Sequence, residues 1–310
     1  MSAPDLTVRI GAMVMKNPVM VASGVFGYGD EFAGLADYGE LGALVLKTIT
    51  REPRPGNPPA CRTVETPAGM VNAIGLENVG LEAFVRDKLP LALRWGTNVI
   101  ASIAGDTPQE FAHCAAALDA TDVAALEVNI SCPNVKQGGM AFGVDPGASA
   151  RVVAAVRAAT RKPVIAKLTP NVTDITAIAA ACEEAGAEAL SLVNTFSAMV
   201  IDVETRRPVL AADAGGLSGP AIRPAAVLRT YQVARAVRVP VIGMGGIWSA
   251  ADALEFIIAG ASAVAVGAAL YADPTAAHRV LAGVRDYLER HGLASLTDLV
   301  GAVSGRRGPA

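Results

Sequence analysis

The chain has 310 residues, is 52% apolar but only 5% aromatic, and carries a formal net charge of −3 at pH 7. That length suits one large α/β barrel or two mid-sized domains, and the aliphatic composition suits strands buried on both faces beneath helices. The charge balance leaves no electrostatic footprint for nucleic acid or an anionic membrane surface.

The chain opens on MSAPDLTVRIGAM, which lacks a basic segment followed by an apolar stretch, so no signal peptide is expected. The first predicted strand is Val19–Ala22, followed by Ser23. The second, Ala43–Lys47, ends in Lys47-Thr48 and runs into Thr50–Asn72, a long segment rich in Pro, Gly and polar residues. Val99–Ile103 is the third, with Ser102 near its end. Thr107-Pro108-Gln109-Glu110 then starts a helix with a Thr cap, a Pro at the first position and an acid in the first turn. The fourth strand, Ala124–Ile130, closes on Asn129, Ser131 and Cys132. A glycine-rich segment, Pro133–Asp145, follows, and Asp145-Pro146 opens the next helix. Val164–Leu168 is the fifth strand and ends in Lys167; the helix begun at Asp174 stops near Ala185-Gly186. The sixth, Ala189–Val193, leads to Asn194-Thr195. The seventh, Val241–Met244, leads to Gly245-Gly246 and a helix capped by Ser249, and the eighth, Ala263–Val266, leads to Gly267. The longest uncharged run, Phe256–Ala272, contains Gly260 and Gly267 and is shorter than the ~20 apolar residues of a spanning helix, so no membrane span is expected.

Strict alternation of strand and helix predicts a parallel sheet, and the number of repeats favours a single-domain (β/α)8 TIM barrel over residues 1–310, with a doubly wound open sheet as the alternative. Long loops inside a compact domain are usually functional. Both long segments follow the C-terminal ends of strands, the second and the fourth, where a barrel keeps its active site.

The strand ends carry the polar residues. Lys47 and Lys167 each terminate an otherwise apolar strand. A lone strand-end lysine is often a surface residue, but two at one rim call for an anionic or electron-rich ligand. Gly243-Met244-Gly245-Gly246 and Gly267-Ala268-Ala269 follow the last two strands. Side-chain-free amides there suit a phosphate group, although each glycine alone is more simply explained by a tight turn. The four cysteines, Cys61, Cys114, Cys132 and Cys182, form no CxxC pair, so no metal site is expected within the chain. Cys114 and Cys182 read as packing residues in helices, Cys61 has no assignment, and Cys132 stands at a strand end beside Pro133. The histidines, His113, His278 and His291, fall in or near helices, so the usual general base is missing from the strand ends and a thiol could take its place.

At this point the strings SGVFGYGDE (from Ser23), KTITREPRPGNPP (from Lys47), NAIGLENVG (from Asn72), NISCPN (from Asn129), AKLTPN (from Ala166), GGLSGPAIRP (from Gly215), GMGGI (from Gly243) and VGAALY (from Val266) resemble class 1 dihydroorotate dehydrogenases over nearly the whole chain. The NAIGLxN and PRPGNPP strings resemble the NAD-linked class 1B type most. The resemblance implies an FMN enzyme of pyrimidine (UMP) biosynthesis that converts dihydroorotate to orotate. Cys132 is then the base at C5, grouped with Lys47 as the catalytic pair. Lys47, Asn72, Ala73, Ile74, Gly75, Leu76, Asn129, Asn194 and Thr195 bind the substrate. Ser23, Lys47, Thr48, Ser102, Asn129, Lys167, Val193, Gly219, Gly245, Gly246, Gly267 and Ala268 contact FMN. Ser102 and Ala268 stand where relatives commonly have Asn and Thr. The class also implies a homodimer flanked by electron-transfer subunits that carry FAD and a [2Fe-2S] cluster and pass electrons to NAD, a heterotetramer; the cytoplasm is the default location for a chain of this size that does not need disulfides. This chain has neither a Gly-x-Gly-x-x-Gly after its first strand nor a cysteine cluster for those groups. The alternatives are a fumarate-coupled class 1A enzyme, a flavoprotein acting on uracil-type dihydropyrimidines, a non-redox phosphate-ligand barrel, and a non-catalytic assembly subunit.

Overall fold

The computed structural model describes residues 3–131 and 142–304; Cys132 and the glycine-rich stretch as far as residue 141 lie outside them. Eight parallel strands close into a TIM barrel: β1 (Val19–Val21), β2 (Ala43–Val45), β3 (Asn98–Ile103), β4 (Ala125–Asn129), β5 (Val164–Lys167), β6 (Ala189–Leu192), β7 (Val241–Met244) and β8 (Ala263–Val266). Their order round the barrel is their order in the chain, with β8 pairing back onto β1 through Val264↔Val19, so the open-sheet alternative is excluded. Apart from Asn98, every residue of these strands is buried, as expected of strands with side chains inside and helices outside.

The expected strands agree with the observed ones to within two residues, and the differences have local causes. Expected to run to Lys47, β2 leaves the regular ladder after Val45: the Leu46 amide still reaches Ile100 O at 3.0 Å, but the Lys47 amide donates to Gly27 O at 2.8 Å. That turn lifts Lys47 off the sheet at the rim. At the end of β4 the Ile130 amide folds back onto Val128 O, 3.0 Å away.

The outer layer includes α1 (Pro108–Asp119), α2 (Pro146–Ala159), α3 (Ile175–Glu184), α4 (Arg223–Ala234), α5 (Ala250–Ala259) and α6 (Ala276–Arg290). Thr107 accepts from the Glu110 amide at 3.3 Å and Asp145 from the Ala148 amide at 2.6 Å, each relieving an orphan donor of the first turn. Ser249 and Asp252 form a capping box on α5: Ser249 Oγ accepts from the Asp252 amide, and Asp252 Oδ2 accepts from the Ser249 amide at 2.7 Å.

Two additions cover the ends of the barrel, and neither shows in the alternating pattern. An antiparallel hairpin, Val8–Ile10 with Met13–Met15, buries alternate residues. Its turn residue Gly11 packs close to Pro163 and Glu188, the residues that lead into β5 and β6, so the hairpin closes the N-terminal end. Over the opposite end lies a four-stranded antiparallel sheet in the order Phe196–Ala198, Gly215–Ser218, Gly69–Asn72, Thr63–Thr66. The segment Thr50–Asn72, read from sequence as an irregular loop, therefore contains a hairpin, and the excursion after β6 supplies its partners. Val71, Ala73 and Leu210 form a small apolar cluster of their own beneath this sheet.

Ser249→Ala removes one half of the capping box. It is expected to lower the unfolding free energy by about 1 kcal/mol, read from urea denaturation followed by circular dichroism, with the barrel retained.

Candidate active site

The C-terminal ends of the barrel strands and the covering sheet enclose a cavity of about 490 Å³, within the ~300–1,000 Å³ usual for small-molecule sites. Every predicted site residue within the described range lines it except Ser102. Cys132 lies outside that range.

One sector is a chain of hydrogen bonds running across strand ends. Ser23 Oγ lies 3.2 Å from Thr48 Oγ1, and Thr48 Oγ1 lies 2.8 Å from Ser102 Oγ and accepts from Asn129 Nδ2 at 3.2 Å. Ser131 Oγ donates to Asn129 Oδ1 at 2.7 Å and accepts from Asn194 Nδ2 at 2.6 Å. Asn194 Oδ1 accepts from the Thr195 amide at 2.9 Å. Ser102 is thus placed below the cavity wall, buried and bonded to Thr48. Asn129 and Asn194 are each held from both ends of the amide, which fixes their rotamers, and each keeps one N–H and one lone pair for a ligand. Such preorganisation suits recognition of a ring whose edge alternates donors and acceptors.

The two lysines sit in contrasting surroundings. Lys167 is 4% exposed, and its Nζ lies 3.5 Å from Glu127 Oε1. Glu127 is also buried and accepts from Ser191 Oγ of β6 at 3.1 Å. Lys47 is half-buried and has no ion-pair partner among the described residues. Burial holds its ammonium below the ordinary pKa of 10.5, opposed by the more distant carboxylates of Glu77 and Glu31.

Backbone forms the third sector, at the ends of β7 and β8 and beside α4. Gly219 has φ +103°, and a Cβ there would come within 2.6 Å of Gly69 Cα in the covering sheet. Gly246 has φ +78°, and a Cβ there would meet Gly219 O at 2.8 Å. Only glycine combines that conformation with so close an approach. The amides of Gly245, Gly246, Gly267 and Ala268 find no acceptor among the described residues, and all four residues line the cavity. Unpaired amides converging on a pocket can hold the oxygens of a phosphate.

The covering sheet supplies the fourth sector. Asn72 ends its hairpin, and Ala73–Leu76 continue along the cavity. Asn57 clamps this stretch, with its Nδ2 donating to Ala73 O at 2.8 Å and its amide to Ile74 O at 2.9 Å. Leu76 adopts φ +56°, a costly conformation for a side-chain-bearing residue, and Asn78 Nδ2 supports it by donating to its carbonyl at 2.8 Å.

Two residues escaped the sequence reading. Glu127 is a lone acid in the apolar string ALEVN, two positions before Asn129 and so on the same face of β4; that isolated charge was the available signal. Asn171 links the rim to the cover, its Nδ2 donating to Thr195 O at 3.0 Å and its Oδ1 accepting from the Ser197 amide at 2.9 Å. Its position in AKLTPN offered no such signal. No histidine lines the cavity among the described residues: His113 lies in α1, His278 in α6, and His291 caps α6. Cys114 and Cys182 are buried, and burial pushes both thiols up to about 12, as suits inert packing. No group of acids, cysteines and histidines among the described residues could hold a metal ion, and no described helix is long and apolar enough to cross a membrane.

Compared with known proteins, the chain matches the dihydroorotate dehydrogenase family profile over residues 5–288. It is 56% identical over 301 residues to the dihydroorotate dehydrogenase B (NAD(+)) catalytic subunit of Pelobacter propionicus, covering 97% of this chain and 99% of that one. The protein of the same description from Trichlorobacter lovleyi is 57% identical over 303 residues, with 97% and 99% covered. That from Desulforudis audaxviator is 58% identical over 296 residues, with 95% and 96% covered.

The ammonium of Lys47 costs stability, because its folded pKa lies below the unfolded one. That cost is fully present below the lowered folded pKa and fades as pH rises towards 10.5. Lys47→Met is therefore expected to melt above the parent at pH 7, with the difference shrinking at pH 10; thermal melts of both proteins at both pH values check this.

Proposed function

This chain belongs to the dihydroorotate dehydrogenase family, and from that premise we propose that it oxidises dihydroorotate to orotate with FMN in its cavity, as the catalytic subunit of an NAD-linked enzyme of pyrimidine biosynthesis. The observation that carries the reading is the convergence of Lys47, Lys167, Asn129 and Asn194, from four different strand ends, on one cavity that is also lined by backbone amides without an acceptor among the described residues.

The residues fit FMN on physical grounds. A phosphate suits the amides of Gly245, Gly246, Gly267 and Ala268, with Gly219 keeping the wall free of side chains. Ala268 brings no hydroxyl to that end, so backbone would carry the phosphate contact. A ring that becomes anionic on reduction suits a buried ammonium, which Lys167 provides. Ser23, Thr48 and Val193 would border the ring, with Ser102 acting through Thr48. When bound, FMN would accept a hydride from C6 of dihydroorotate.

The remaining steps fall to the chain itself. Cys132 removes the C5 proton as a thiolate; this assignment rests on its place in NISCPN and on the absence of a cavity histidine among the described residues. Ser131, its neighbour, is tied to Asn129 and Asn194, so the segment bearing the thiol starts from a fixed point. Asn72, Asn129, Asn194 and Thr195 hold the ring edge of the substrate. Lys47 faces its negative charge, and that anion would offset the burial that depresses the lysine's pKa. Ala73, Ile74, Gly75 and Leu76 close over the substrate and keep water out.

On this reading the whole chain works as one FMN barrel. It pairs with a second copy and with a subunit bearing FAD and a [2Fe-2S] cluster that passes electrons to NAD, and it resides in the cytoplasm. The relatives' description as catalytic subunits supports the need for a partner. An anaerobic titration tests the scheme. Dihydroorotate should bleach the flavin of the purified protein, fumarate should restore the colour slowly, and NAD should restore it only with the partner present; rapid turnover with fumarate alone would select the fumarate-coupled reading. Cys132→Ser should keep its FMN yet reduce it about 100-fold more slowly at neutral pH, the usual scale of a lost general base; unchanged stopped-flow reduction would remove Cys132 from the role.

A further inference from the structure

The barrel interior holds a charge that the scheme above does not use. Glu127 sits mid-strand in β4, 1% exposed, beneath the cavity wall rather than on it. Burying a carboxylate so deeply is costly unless it is paired and hydrogen-bonded. Among the described residues its partners are Lys167 Nζ at 3.5 Å and Ser191 Oγ at 3.1 Å. Lys167 has no other ion-pair partner among them.

The arrangement is asymmetric. The ammonium faces the cavity, while the carboxylate lies behind it. The contact between them is long, and an ammonium has three N–H donors, so the pair leaves Lys167 with capacity towards a ligand. Lys47, the other cavity lysine, has no such counterion among the described residues. One lysine thus presents a full charge to the cavity and the other a tempered one. A structural ion pair alone would not require its cation to line the cavity.

We propose that Glu127 is a positioning residue: it holds the Lys167 ammonium at the cavity wall and partly neutralises the charge that Lys167 presents to the flavin. Ser191 completes the device by donating to the far oxygen of Glu127. The inference rests on the FMN reading given above. A fixed cation beside a flavin favours its reduction, so the strength of the Glu127–Lys167 pairing sets how readily the ring accepts electrons. Glu127 touches neither substrate nor cofactor; it acts through Lys167.

The test uses the FMN-loaded protein. Glu127→Gln keeps the size and hydrogen-bonding shape of the side chain and removes its charge. The midpoint potential of bound FMN should rise, and sulfite, a nucleophile that adds to electron-poor oxidised flavins, should bind about tenfold more tightly, the scale of one uncompensated charge in a protein interior. Glu127→Asp, which restores the charge, should return both towards the parent values. Ser191→Ala keeps both charges and disturbs only the hydroxyl donated to Glu127. Its potential should shift slightly downward, and it decides the question if Glu127→Gln does not fold. Unchanged potential and sulfite affinity in a flavin-loaded Glu127→Gln protein, or no shift in Ser191→Ala where Glu127→Gln does not fold, would overturn the inference and leave the FMN reading standing. A parent protein that takes up no FMN would overturn both.

Discussion

Closing a ladder of parallel strands forces every strand to end on the same rim. Helices cover the outside and side chains fill the inside, so the rim is the one place where a strand can offer polar groups without burying them unpaired. In this chain the rim groups satisfy one another first. The run from Ser23 through Thr48, Asn129 and Ser131 to Asn194 links strands far apart in sequence and fixes the two asparagines before any ligand arrives. Without the barrel these residues have no reason to meet.

The same closure governs charge. A mid-barrel carboxylate would be intolerable alone, and a strand-end ammonium would be costly alone; β4 and β5 run side by side in a register that pairs Asn129 with Lys167, which brings Glu127 within reach of the lysine. Lys47, lifted off the ladder by the turn after β2, has no ion-pair partner among the described residues. A half-buried cation whose pKa is lowered by burial is a local destabilisation, and such conflicts gather at functional sites. The covering sheet adds the same kind of conflict in Leu76, held at positive φ over the cavity.

The strand–helix alternation, the helix caps at Thr107, Asp145, Asp174 and Ser249, and the polar residues at the strand ends were all legible in the chain, because each depends on neighbours a few positions away. The covering sheet was not. Its strands, Thr63–Thr66, Gly69–Asn72, Phe196–Ala198 and Gly215–Ser218, are short, half-exposed and partly built of glycine, so they lack the apolar alternation that marks a strand, and their pairing joins segments on either side of most of the barrel. Ser102 shows the limit in another way: a residue near a strand end can point at the ligand or at its neighbours, and here Thr48 takes its hydroxyl.

The amino-acid sequence by itself determined the barrel and the family, since local periodicity and ordered motifs suffice for both, and nearly all the described site residues it named line the cavity. Only the tertiary structure decided how those residues are occupied. It made Asn129 and Asn194 rigid, gave Lys167 a counterion in Glu127, left Lys47 without one among the described residues, and roofed the cavity with segments read as loops. The physical reason is that a side chain's partners are set by barrel register and closure, which bring together residues dozens of positions apart and leave no trace in spacing along the chain.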